Sequence, residues 1–115
     1  MVRYRATGEP IYRANCHCAN CRLAVGAQAV AWVTVRQSEF EFEKGSPRRF
    51  RTDTGVWRTF CEECGTSLTY EADARPAEID LTTGSLDYPD NFRPTRDVFP
   101  EEKLSWVPLC DDTDG

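Results

Sequence analysis

The chain has 115 residues, with 14 Lys+Arg against 19 Asp+Glu and a formal net charge of −5 at pH 7. That length gives room for one domain, residues 1–115, with an adequate but not generous core. The acidic balance speaks against nucleic acid as a partner, because phosphate binding draws on a basic surface that releases counterions.

The first nine residues are polar and basic, with no apolar stretch after them, so no secretory signal is expected. No window approaches the roughly 18 apolar residues of a membrane span; the longest run, 27–35, is broken by Gln28 and Thr34. A soluble protein of the reducing cytoplasm follows, with no membrane partner, and there the six cysteines do not read as a disulfide framework.

Short β-branched and aromatic segments alternate with turn signals, and no stretch keeps a 3.6-residue apolar period for ten or more residues. The expected fold is mostly β, built from short antiparallel strands in a sandwich or folded-over sheet. Strands are predicted at 2–7, 11–15, 28–35, 39–43, 48–52, 56–60, 67–71 and 78–82. Glu39-Phe40-Glu41-Phe42-Glu43 alternates strictly, which turns Phe40 and Phe42 inward and the glutamates to water. Ala29-Val30-Ala31-Trp32-Val33 is apolar on both faces and predicts a central, covered strand. Turns are marked at Gly8-Glu9-Pro10, Gly45-Ser46-Pro47, Asp53-Thr54-Gly55 and Thr83-Gly84-Ser85. After Tyr88 the prolines at 89, 94, 100 and 108 predict an irregular, extended tail, acidic over 100–115.

Five cysteines sit in two knots, Cys16-His17-Cys18-Ala19-Asn20-Cys21 and Cys61-Glu62-Glu63-Cys64-Gly65. Residues i and i+2 of an extended segment share a face about 6.5 Å apart, and a modest bend brings Cys16 and Cys18 to one ion. The C-x-x-C turn from Cys18 to Cys21 adds a third thiolate. A fourth position left to water, substrate or another part of the chain is the mark of a catalytic zinc. The second knot reads as a zinc knuckle, with Gly65 permitting the tight turn beneath the metal. It offers two ligands and needs two more. No βαβ pattern flanks either C-x-x-C, which speaks against a thioredoxin-type redox motif. One or two Zn²⁺ per chain are expected.

His17, the one histidine, points away from Cys16 and Cys18 if the segment is extended. That favours a hydrogen-bonded structural role, though it is also the chain's one general base suited to neutral pH. Arg22 follows the third thiolate; it is read as a surface residue, with compensation of the thiolate's charge as its alternative. Arg48, Arg49, Arg51 and Arg58 cluster in sequence, either as a solvated strand face or as a small-anion site. Cys110 stands alone in the tail and is expected to be a free thiol.

These residues carry a resemblance. From Val2-Arg3-Tyr4 to about Val107 the chain resembles the glutathione-dependent formaldehyde-activating enzyme family, which shares its domain with centromere protein V. The likeness rests on Cys16-His17-Cys18-Ala19-Asn20-Cys21-Arg22, Phe60-Cys61-Glu62-Glu63-Cys64-Gly65-Thr66, Thr83-Gly84-Ser85-Leu86-Asp87 and a late Trp106.

The resemblance implies two zinc sites: a catalytic one at Cys16, Cys18 and Cys21, and half of a four-cysteine structural one at Cys61 and Cys64. The other half, a C-x-C-G ahead of the V-R-Y element, is not in this sequence. The pair lies upstream of the start used here, or the two knots share one zinc, or Cys110 or a carboxylate completes the second site. The activity implied is that of a carbon–sulfur lyase combining glutathione with formaldehyde to give S-(hydroxymethyl)glutathione. Its partners are a small thiol and an aldehyde, with His17 or water supplying the proton. The carboxylates of glutathione call for cationic anchors, for which Arg22, Arg48, Arg49, Arg51 and Arg58 are the candidates. The rival class is a non-catalytic zinc module whose metal staples loops.

Overall fold

The computed structural model describes residues 2–110. Alternation along β3 (Val30–Arg36) organises them. Val30 and Trp32 pack on one face with Cys16 and Cys21; Val33 and Val35 pack on the other with Ile79 and Leu81. β3 is therefore buried on both faces, as its apolar run predicts.

β3 lies between β2 (Tyr12–Cys16) and β8 (Glu78–Thr82) in a seven-stranded sheet of order β5-β6-β7-β8-β3-β2-β9. Its remaining strands are β5 (Arg48–Arg51), β6 (Val56–Phe60), β7 (Ser67–Ala72) and β9 (Arg96–Val98). β1 (Arg3–Ala6) and β4 (Phe40–Lys44) form a separate antiparallel pair. This pair covers the Val33 face: Tyr4 and Phe40 pack on Val33, Val35, Ile79 and Leu81, with ring centroids 5.5 Å apart. Phe42 stands edge-on to Phe40 at 5.0 Å. Burying such a ring stabilises the fold by about 1.5–3 kcal/mol.

The Val2-Arg3-Tyr4 and Thr83-Gly84-Ser85-Leu86-Asp87 elements meet here. Arg3 pairs with Asp87 at 2.8 Å, and the Tyr4 and Ser85 hydroxyls lie 2.6 Å apart. Both motifs clamp the small sheet to the large one.

The eight expected strands are present with ends shifted by a residue or two. Three features differ from expectation. The tail is not wholly irregular: β9 pairs with β2, Pro100–Glu102 forms a 3₁₀ turn, and Val107 is buried. The β2–β9 pairing is parallel, so the large sheet is mixed. A short helix, α1 (Ala19–Val25), stands where only a C-x-x-C turn was expected. Two-residue periodicity could not reveal β9, because its three residues gain their order from the edge of β2. The acidic residues Asp111, Asp112 and Asp114 lie outside the described residues. No helix among the described residues is long and apolar enough to cross a membrane.

Candidate metal centre

Cys16 closes β2, and the chain then turns into α1. Cys18 caps that helix: its sulfur accepts the Cys21 backbone N–H at 3.3 Å. Gly26, at φ 74°, ends it and donates its N–H to the Arg22 carbonyl at 2.7 Å, a left-handed stop that suits glycine. One turn of helix thus swings Cys21 back over Cys16. The three sulfurs all lie within 4.8 Å of one another.

A tetrahedral site with metal–sulfur bonds of about 2.3 Å needs sulfurs about 3.8 Å apart. The triad therefore fits a tetrahedral metal with small adjustments. Cys16 and Cys21 are buried and Cys18 is half-buried, and the described residues contain no disulfide.

Electrostatics inside the triad are uneven. A hydrogen bond from Cys16 is the largest influence lowering the Cys21 thiol; burial opposes it, and the Arg58 guanidinium reinforces it. Cys16, the donor to Cys21 and itself buried, is pushed well up. The first thiolate therefore forms on Cys21. Arg58, on β6, reaches that sulfur with Nη2 at 3.6 Å, while its guanidinium stacks over Tyr70 at 4.8 Å.

A cavity of about 300 Å³ opens in front of the sulfurs. Its floor is the Trp32 face of the sheet, with Tyr12 and Ala14 from β2, Thr34 from β3 and Asp80 from β8. Asp80 accepts the Thr34 hydroxyl at 2.5 Å and Arg75 Nη2 at 2.7 Å. Arg75 also donates to Glu78 at 2.8 Å, and these partners hold its guanidinium even more firmly charged than usual. The wall facing the thiols is thus a paired, charged network.

The other candidate residues are dispersed. His17 is fully buried beneath the triad, its Nε2–H donating to Asp97 Oδ1 at 2.7 Å. Its Nδ1 has no hydrogen-bond partner among the described residues. Arg22 directs Nε to the His17 carbonyl at 3.4 Å, steadying the loop backbone. Arg48 and Arg51 pair with Glu62 and Asp73, and Arg49 stacks over Trp57 at 4.3 Å. Of the four clustered arginines, Arg58 alone touches a cavity thiol in the described structure.

Cys61 and Cys64 form a tight turn after β6. Gly65, at φ 77°, donates its N–H to the Cys61 carbonyl at 2.7 Å. Cys61 is buried and Cys64 exposed. The Val2 backbone N–H at the Cys61 sulfur is the largest influence drawing that thiol down, to about 7. Both thiols line a cavity with β1, away from the three-thiol cluster. The described structure accordingly does not bring the knots together at one ion. Nor does Cys110 reach the second knot: its N–H donates to Asp97 Oδ2 at 2.7 Å and its sulfur lies 3.5 Å from the Arg96 carbonyl. That position is at β9, the far edge of the sheet from β6.

Sequence reasoning missed Arg75, Asp80, Asp97 and Phe99. Asp80 alone left a trace, as the charged residue inside the otherwise buried Ile79-Asp80-Leu81. The remaining three depend on long-range pairing.

A mixed β-sheet whose β2 end and following short helix bring three thiols together defines a β fold with a candidate metal site. The model of the glutathione-dependent formaldehyde-activating enzyme family matches residues 1–102, and the chain belongs to that family. A crystal structure of a Rhodobacter sphaeroides protein, a structural-genomics target, is similar in fold. Its TM-score is 0.62 at 20% identity, over 75% of this chain and 80% of that one. No curated protein matches the sequence.

Proposed function

We propose that this protein is a zinc-dependent carbon–sulfur lyase that joins a small thiol such as glutathione to formaldehyde or a related aldehyde. The observation that carries the reading is the convergence of Cys16, Cys18 and Cys21 at a cavity large enough for two small reactants. Family membership supports the substrate class. Cys16, Cys18 and Cys21 would hold Zn²⁺, and the bound ion would lower the pKa of an incoming thiol and keep it as thiolate.

Three thiolates on a divalent ion leave a net negative charge, which disfavours a fourth sulfur. Arg58 answers that objection, because its guanidinium lies 3.6 Å from Cys21 Sγ and offsets one charge. The substrate sulfur's lone pair attacks the aldehyde carbon, the C=O π pair moves to oxygen, and the resulting alkoxide takes a proton to give R–S–CH₂–OH. His17 is fully buried and committed to Asp97, so water is the better proton source and His17 the loop's anchor.

The rest of the thiol extends into a neighbouring groove of about 730 Å³ that shares Trp32 with the cavity. There the buried Thr59 and Thr69 hydroxyls have no partner among the described residues, and Asn20, Arg51 and Arg58 complete a polar wall for a peptide and its carboxylates. The reduced thiols of Cys16, Cys18, Cys21, Cys61 and Cys64 suit a reducing, cytoplasmic setting.

The test is adduct exchange between glutathione and formaldehyde followed by NMR, with wild type and Cys21→Ala. Acceleration by the wild type that Cys21→Ala loses is the expected result. No acceleration over background favours a non-catalytic zinc module instead, and acceleration indifferent to Cys21 removes the site assignment.

A further inference from the structure

The C-terminal segment crosses the thiol loop and is tied to it from both sides of Cys18. Asp97 accepts from His17 Nε2 at 2.7 Å, and the Val98 carbonyl accepts the His17 backbone N–H at 3.1 Å. Glu102 Oε1 accepts the Ala19 backbone N–H at 3.1 Å. Between these anchors sits Phe99, which lines the thiol cavity while 51% of its surface meets solvent.

Its backbone stands at φ 53°, ψ 47°, and it is the one non-glycine residue with positive φ among the described residues. Glycine adopts that conformation without strain, whereas a bulky side chain there is an outlier held by its surroundings. The anchors on either side supply that hold. Phe99 is thus a half-exposed lining residue of a cavity whose walls also include Trp32 and Tyr70.

From this placement we infer that Phe99 is a specificity-determining residue: its ring narrows the entrance to the three thiols so that only short, unbranched aldehydes reach the sulfur-bearing end. The inference rests on the cavity being the place where thiol and aldehyde meet. Its physical core, a size filter over the cysteines, can be measured without any turnover. A side chain at the rim excludes by volume, so removing it admits larger molecules without altering the ligand set.

Full-length, zinc-loaded protein is alkylated with iodoacetamide and, separately, with fluorescein-5-maleimide. Labelling of Cys16, Cys18 and Cys21 is read by peptide mass mapping against exposed Cys64 as the internal reference. In the wild type the small reagent is expected to label the cluster at least about tenfold faster than the bulky one, each normalised to Cys64. Phe99→Gly, which suits the left-handed backbone and should leave Tm unchanged or higher, narrows that gap to about twofold. Phe99→Tyr restores it.

In adduct exchange, the preference for formaldehyde over the branched 2-methylpropanal falls at least about fivefold in Phe99→Gly. An unchanged labelling ratio in a folded Phe99→Gly overturns the inference. A changed ratio in a protein that accelerates no adduct exchange keeps the size filter and removes the lyase reading.

Discussion

The two cysteine knots use the same residue type and reach opposite environments. Cys16, Cys18 and Cys21 lie on a strand end, a helix cap and the helix itself, are steadied by His17, Asp97 and Arg22, and face a cavity with a cation beside one sulfur. Cys61 and Cys64 ride on a turn closed by Gly65, one thiol buried and one exposed, beside the first strand of the fold. The first knot presents three donors within 4.8 Å of one another beside an open cavity. The second presents two thiols on a turn that lines a cavity with β1. The C-x-x-C spacing that both knots share therefore leads to different surroundings, which only the packing around each knot sets.

The largest expected contrast comes from removing one thiol in each knot. Cys21→Ala should abolish metal binding at the cluster and lower adduct exchange by at least about a hundredfold. Cys64→Ser should leave the cluster loaded and lower Tm by on the order of 5 °C. Elemental analysis alongside thermal unfolding separates these outcomes; a single zinc lost on mutating either knot breaks the comparison.

Arg58→Met should come next. It removes the cation at Cys21 while keeping much of the side-chain bulk over Tyr70, and about a 10–100-fold loss in kcat/KM with metal content preserved is expected. An unchanged rate would mean that the thiolate charge needs no compensation.

Asp97→Asn tests whether the cluster's support runs through β9. Leaving the buried His17 donor badly matched should cost about 1–3 kcal/mol, read by denaturant unfolding. Burial raises the Asp97 carboxyl, but the hydrogen bonds from His17 and Cys110 outweigh it and hold the group below the ordinary aspartate value of 3.8. A depressed carboxyl contributes stability that is complete above that value and lost as pH falls through the lower folded one. Amide exchange of residues 96–102 should therefore accelerate at the acid end, below about pH 4, and Asp97→Asn should remove that dependence.

The smallest effect is expected from Arg48→Ala. Its exposed pair with Glu62 should add nothing measurable to Tm, as is common for surface ion pairs. A marked rise in KM for glutathione with kcat unchanged would instead move the substrate's carboxylates onto β5.

Much of this was legible in the residues themselves. Ala29 to Val33 declares a strand covered on both sides, Phe40 and Phe42 declare a half-buried one, and Gly65 marks the knuckle's turn, because two-residue periodicity and backbone permissiveness are local properties. The thiol triad was legible for the same reason: its members fall within six consecutive positions, and short-range geometry limits how far apart their sulfurs lie. The tertiary structure alone decided which arginine serves Cys21, that Asp97 and Cys110 meet under His17, that Arg75 and Asp80 wall the cavity, and that Phe99 lines it. Those contacts join residues far apart in the chain, and their energies depend on strand order and sheet closure, which no local pattern encodes.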